Sequence, residues 1–169
     1  SAVAVVNVDD PMGKLLAKST RASVTTYGIE TPTADVRASI EGMDRRGTHF
    51  VLHGRTMELP IHTPLIGHHN VLNALAAAAT AEAIGVSAEA IRGGLECVSG
   101  VTGRLQRAEP PGWPYSVFVD YAHTDDALAN VLHTLRPFTT GTLRFVFGCG
   151  GDRDRTKRPR MAATVAELA

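Results

Sequence analysis

The sequence predicts an α/β fold in two successive parts, and three of its features carry that prediction. Apolar, β-branched runs at 2–8 and 142–148 read as buried strands and are separated by stretches at helical spacing. Between about Ser23 and Pro60, short segments of partial alternation are parted by Gly-, Asp- and Pro-containing turns, the texture of an antiparallel meander. The second half then reads strand, helix, strand, helix, which implies parallel strands joined by a right-handed crossover.

Each element has a local reason. "AVAVVNV" is apolar at nearly every position, as a strand covered on both faces would be. Asp9 and Asp10 then offer an acidic cap, and Pro11 suits the first position of a short helix. "SVTTYGIE", "ADVRASIEG", "THFVLHG" and "TMELPI" supply the meander. Between residues 71 and 84 alanines and leucines predominate, and Gly85 provides the stop. Ser87 caps a further helix running towards Val98, with Glu89 in its first turn. "GVTGR" at 100–104 has the composition of a linker. "YSVFVDYA" is the next strand. Thr124 then caps a helix with Asp125 and Asp126 in its first turn, where they complement the dipole. Leu128, Val131, Leu132 and Leu135 share one face of it, and Pro137 ends it. "TLRFVFG" reads as a second buried strand, and Pro159 opens the last helix. There are no internal repeats.

Composition narrows the class of function. Hydrophobic residues make up 44% and charged residues 20%, an ordinary globular balance. Seventeen basic residues offset seventeen acidic ones, so no basic surplus points to nucleic acid or an anionic membrane. Cys97 and Cys149 lie far apart without C-x-x-C spacing, which fits a reducing cytoplasm better than a disulfide framework. The opening apolar run has no basic stretch ahead of it, and "NALAAAATAEAIG" is too short and too polar to span a bilayer. A start inside a strand-like run and an end on "ATVAELA" point to a segment of a longer protein.

Candidate chemistry gathers at strand ends. "VFGCGGDRDRTKRP" empties an apolar run into a glycine loop and a burst of charge. It matches the dinucleotide fingerprint only in part, because Arg153 stands where the third small residue belongs, and no Walker A string occurs. Arg153, Arg155, Lys157 and Arg158 would lie outside the carboxyl end of a parallel strand, where open α/β sheets bind ligands. An arginine fork there suits a carboxylate or a phosphate. A solvated loop with Asp152 and Asp154 pairing internally accounts for the spacing equally well. In "VDYAHTDDA", Asp120 and His123 leave the neighbouring strand. Asp120 is a ribose acceptor or a carboxylate at a helix start, and His123 a base-contacting imidazole or a satisfied turn histidine. Asn70 and Asn73 share a helix face at i, i+3, either as cap and packing residue or both towards a ligand. His68 and His69 lack the i, i+4 spacing of a helical zinc pair, and no H-E-x-x-H or G-x-S-x-G motif appears.

"GHHNVLNALAAAATAEAIGV", "GRLQ", "FVDYAHTDDAL" and "VFGCGGDRDRTKRPRM", in that order, resemble the Mur ligases, and within them the branch that adds the third residue of the peptidoglycan stem peptide. The resemblance implies that residues 1–102 are the later part of a P-loop-type ATP-binding central domain. Residues 103–169 would be the first β-α-β-α of a Rossmann-like C-terminal domain. It implies ATP-dependent amide formation through an acyl phosphate, with Mg²⁺ as the metal. UDP-N-acetylmuramoyl-L-alanyl-D-glutamate would be the acceptor, and a diamino acid, diaminopimelate or else lysine, the incoming amine. By the same resemblance Asn70 lies near the adenine, Arg104 reaches the nucleotide, Asp120 binds the ribose and His123 sits beside the base. Arg153 would hold a carboxylate of the diamino acid, with Lys157 from the same motif. Gln106 replaces the usual Glu of the "GRLQ" element, and Asp125 replaces the commoner Pro of "AHTDDA". The family's Walker A loop, carbamylated lysine, metal-binding histidine and UDP-binding domain belong before Ser1, and its Asp-Asn-Pro-Arg motif after Ala169. No catalytic residue or metal ligand is therefore expected in these 169 residues, which alone should be inactive. A folylpolyglutamate synthase-like ligase and a non-catalytic nucleotide-binding module are the alternatives.

Overall fold

Asp10 accepts a hydrogen bond from the Met12 amide at 2.7 Å, and with Pro11 behind it this cap opens helix α1 (Pro11–Ser19) straight after strand β1 (Val3–Asn7). The computed structural model describes residues 2–150 and 154–169, in two units, Ser1–Ser99 and Gly100–Ala169. Strands β2 (Ser23–Gly28), β3 (Val36–Asp44), β4 (Gly47–His53) and β5 (Glu58–Thr63) complete a five-stranded sheet in the order β1-β2-β3-β4-β5.

The antiparallel meander expected over 23–60 holds only for β3, β4 and β5; β2 runs parallel to both of its neighbours. Helix α1 returns the chain along β1, so Ser23 re-enters beside Val3 in the same direction. The 29–35 loop then carries it to β3, which pairs with β2 only at Tyr27–Val36 and Gly28–Arg37. Two carboxylates fix that loop. Asp9 accepts from the amides of Ile29, Glu30 and Thr31 at 2.6, 3.1 and 2.9 Å, and Asp35 accepts from the Thr26 amide and hydroxyl, each at 2.8 Å. Burial works against the charge on Asp9, yet these donors and the Thr31 hydroxyl outweigh it and hold the carboxyl below its ordinary range. Side-chain alternation marks which face is covered, but it does not say which way a neighbour runs. The run at 2–8 also differs from expectation: β1 lies at the edge of the sheet and is half-buried, with β2 on one flank.

The meander closes tightly. At Gly47, φ +156°, a Cβ would lie 2.2 Å from the Thr63 carbonyl, so no other residue fits this hairpin against β5. Helix α2 (His68–Ala83) crosses the sheet, and its Val71, Leu75, Ala78 and Ala79 join Val36, Phe50, Leu52 and Ile61 in one core. Its alanines allow close approach, while Gly85, φ +82°, ends it as expected. It begins at His68, earlier than residue 71. The Gly67 carbonyl already accepts from the Asn70 and Val71 amides at 3.0 and 3.2 Å. Helix α3 (Ala88–Glu96) starts at Ser87, whose hydroxyl accepts from the Ala90 amide, and buries Ile91.

The second unit holds a short antiparallel pair, β6 (Gln106–Arg107) with β7 (Phe118–Val119), and helices α4 (Asp125–Leu135) and α5 (Lys157–Leu168) packed on each other. Leu128, Val131, Leu132 and Leu135 are buried, as their spacing predicts, and Pro137 lies in a single 3₁₀ turn that ends α4. The segment 142–148 departs from expectation: it forms no strand pairing, and Val146 is 98% exposed. A parallel strand needs a hydrogen-bonding neighbour along its edge, and among the described residues no strand is bonded to it. The class is nonetheless α/β, with a mixed sheet. Among the described residues no helix is long and apolar enough to cross a membrane.

Candidate functional site

In the second unit, "GRLQ" and "DYAH" are tied together by backbone bonds. The turn at 101–106 is tight: Arg104 donates its amide to the Val101 carbonyl at 3.0 Å, and Gly103 and Leu105 have φ of +70° and +44°. Asp120 follows β7 and faces this turn. Its Oδ2 accepts from the Leu105 amide at 2.8 Å and its Oδ1 from the Ala122 amide at 2.8 Å. The Tyr121 amide donates to the Gly103 carbonyl at 2.8 Å, and the Gly103 amide donates to Gln106 Oε1 at 3.2 Å. Gln106 thus keeps the acceptor that a Glu would supply at this position. Arg104 sits in this fixed turn and is exposed.

His123 donates from Nδ1 to the Tyr121 carbonyl at 3.0 Å, which leaves Nε2 as the acceptor. Its ring meets that of Tyr121 edge-on, with centroids 5.2 Å apart, and Tyr121 is itself exposed. Thr124 then accepts from the Ala127 amide at 3.2 Å and begins α4, so the cap fixes where His123 leaves the backbone. Asp125 complements the helix dipole and also meets Arg160 of α5 at 3.5 Å. The turn that bears Arg104 is therefore held to the segment that carries the Asp120 carboxylate, the His123 imidazole and the Tyr121 ring. Such a set suits a planar, polar, anionic molecule; nothing in it pairs a nucleophile with a base.

Lys157 is the first residue of α5 and half-buried. Arg153, with Gly151 and Asp152, lies outside the described residues. Asp154 accepts from the Thr156 hydroxyl and amide at 2.6 and 2.9 Å, and these two donors hold its carboxyl below the ordinary range, while Asp152, its partner in the internal pairing read from spacing, lies outside the described residues. Asn70, in the first unit, is 3% exposed. It donates to the Ile66 carbonyl at 2.8 Å, and its Oδ1 accepts from Asn73 at 3.4 Å. Asn70 is therefore a buried brace of the first turn of α2 and not its cap, which falls at Gly67. Among the described residues no three His, Cys, Asp or Glu side chains assemble as a metal site, whereas Mg²⁺ at a nucleotide commonly takes one or two carboxylates with water and phosphate oxygens. Sequence reasoning missed Leu105 and Tyr121, although Gly103 and Gln106 on either side of Arg104 were the available sign of a tight turn.

Two family models match in the order the fold presents them: the Mur ligase middle domain over residues 1–81, and the Mur ligase glutamate ligase domain over residues 103–169. The chain belongs to the Mur ligase family. A relative from Geobacter metallireducens named UDP-N-acetylmuramoyl-L-alanyl-D-glutamate–2,6-diaminopimelate ligase is 47% identical over 94% of the chain. A solved structure of a ligase of the same name superposes with a TM-score of 0.69, at 36% identity over 99% of the chain. A Mycobacterium tuberculosis folylpolyglutamate synthase, complexed with ADP, has a TM-score of 0.64 at 29% identity over 80% of the chain. The Mur ligase segment spans 30% of the length of the first of these proteins, 35% of the second and 30% of the third.

Proposed function

We propose that this chain is part of a cytoplasmic, ATP- and Mg²⁺-dependent ligase that joins a diamino acid, meso-diaminopimelate, to UDP-N-acetylmuramoyl-L-alanyl-D-glutamate in peptidoglycan synthesis. The 47% identity to a relative of that name, over 94% of the chain, carries the reading. The domain boundary falls at the turn before Arg104, giving 1–102 and 103–169, close to the division of the structure after Ser99.

The residues divide the work of binding. Arg104 offers a cation from a fixed turn, Asp120 an oriented carboxylate, and His123 an imidazole beside an aromatic face; together they suit a nucleotide. Each Asp120 oxygen already takes one backbone amide, and a carboxylate has about four acceptor positions, so room remains for ribose hydroxyls. Asn70, braced within α2, would lie towards the adenine. Arg153 and Lys157 would hold a carboxylate of the incoming diamino acid, the arginine through its two-pronged fork. In the reaction, ATP gives its terminal phosphoryl group to the D-glutamyl carboxylate and leaves as ADP. The amine of the diamino acid attacks the acyl carbon, inorganic phosphate departs, and the nitrogen loses a proton as the amide forms. Mg²⁺, when bound, would neutralise charge on the transferring phosphoryl group.

The test uses the complete ligase with ATP, Mg²⁺, the UDP-muramoyl dipeptide and either diaminopimelate or lysine. Expected is amide product with diaminopimelate and one phosphate released per product. Product with lysine alone would move the substrate assignment, and a glutamate-extended folate as the only product would replace the reading by the folylpolyglutamate one. The 169-residue chain by itself, which contains no Walker A loop, should release no phosphate above background.

A further inference from the structure

We propose that Asp120 is a positioning residue for Arg104, acting through the backbone of the turn that bears it, in addition to any contact with the nucleotide. This rests on the reading of Arg104 as a nucleotide-binding residue. Leu105, next to Arg104, has φ +44°, and it is the non-glycine residue with positive φ among those described. L-residues resist that conformation, so it persists only where the surroundings impose it. The surroundings here are specific. Asp120 Oδ2 takes the Leu105 amide at 2.8 Å, the Tyr121 amide binds the Gly103 carbonyl at 2.8 Å, and Leu105 is 5% exposed. Residues on both sides of Arg104 are therefore anchored to the segment 120–121, and Gln106 Oε1 closes the turn on the Gly103 amide. The second amide bond, from Ala122 to Oδ1, fixes the orientation of the carboxylate itself.

A long exposed arginine gains nothing in direction from its own rotamers; a fixed base limits where its fork can reach. Removing Asp120 leaves the Leu105 amide without its acceptor and frees the turn to relax out of the left-handed region. Arg104 then keeps its charge and loses its aim.

A ribose contact and a positioning role make different demands on the nucleotide. In the complete ligase, Asp120→Ala, Arg104→Ala and the double variant are titrated with ATP and with 2′,3′-dideoxy-ATP by calorimetry. Hydrogen exchange at the Leu105 amide is followed in parallel. Expected is a loss of about tenfold or more in ATP affinity for either single variant, and no further loss in the double. With dideoxy-ATP the Asp120→Ala loss should shrink by the ribose contact but persist, and Leu105 protection should fall in Asp120→Ala but not in Arg104→Ala. If the Asp120→Ala loss disappears with dideoxy-ATP, or the two losses add, Asp120 is a direct ribose ligand only and the inference fails. Should Asp120→Ala not fold, Asp120→Asn, which keeps one acceptor oxygen, carries the same comparison. A complete wild-type enzyme that binds neither nucleotide would instead overturn the ligase reading itself.

Discussion

The two units use the same local signals and differ in how their strands find partners. In Ser1–Ser99 each strand of the meander meets the next through a short hairpin, and α2 covers the face so formed. In Gly100–Ala169 helix α4 is capped by Thr124 as α3 is by Ser87, yet the apolar segment 142–148 pairs with no described strand and Val146 stands in solvent. Hairpin partners come with the chain; parallel partners must be brought from a distance. The difference teaches that an apolar, β-branched run records a tendency to pair, while pairing depends on what lies next to it.

Core truncation should separate the units most. Phe50, 1% exposed, sits between the sheet and α2, and Phe50→Ala should cost about 3–5 kcal/mol in denaturant unfolding. Leu132 is 0% exposed on the apolar face of α4, a helix that packs against α5. Two helices can close over a void more readily than a sheet can, so Leu132→Ala should cost about 2 kcal/mol, the lower end of its range. Equal losses would show that the second unit is packed as rigidly as the first and would break the contrast.

Next in size is the carboxylate that sets the direction of β2 and β3. Asp9→Ala strands three amides and should cost about 1–3 kcal/mol at neutral pH. The folded-state pKa of Asp9 is depressed, so its contribution is complete above the unfolded carboxyl value of about 4 and is lost as pH falls through the lower folded value. The stability gap between wild type and Asp9→Ala should therefore narrow below about pH 4. A gap unchanged down to strong acid would mean that the side chain acts through its shape and not its charge.

The smallest effects should also be the most alike. Ser87→Ala in the first unit and Thr124→Ala in the second each remove one cap bond and should each cost about 1 kcal/mol. Helix caps are local, so the two losses should agree even though the sheets around them do not. A clear disparity in thermal unfolding would show that tertiary setting governs the caps as well.

Much of the candidate site was legible because it was carried by short motifs. "GRLQ" and "DYAH" named Arg104, Asp120 and His123, and the structure ties the turn that bears Arg104 to the segment that bears Asp120 and His123. What the motifs did not contain was the way Asp120 meets Leu105, since a hydrogen bond across |i−j| = 15 leaves no periodic trace. Asn70 was legible as a residue on a helix face. That it braces the Ile66 carbonyl from a buried position depended on α2 beginning at His68.

By itself the sequence determined the features that depend on a few consecutive residues. It set the caps at Asp10, Ser87 and Thr124, the stop at Gly85, and the apolar face of α4 from Leu128 to Leu135. These follow from φ preference, amide acceptors and the 3.6-residue repeat, all of which act within one or two turns. Only the tertiary structure decided that β2 runs parallel to β3, that β1 lies at a sheet edge, and that 142–148 stays unpaired among the described residues. Strand direction and partnership are properties of two segments at once, and a side-chain pattern along one of them is the same whichever way its neighbour runs.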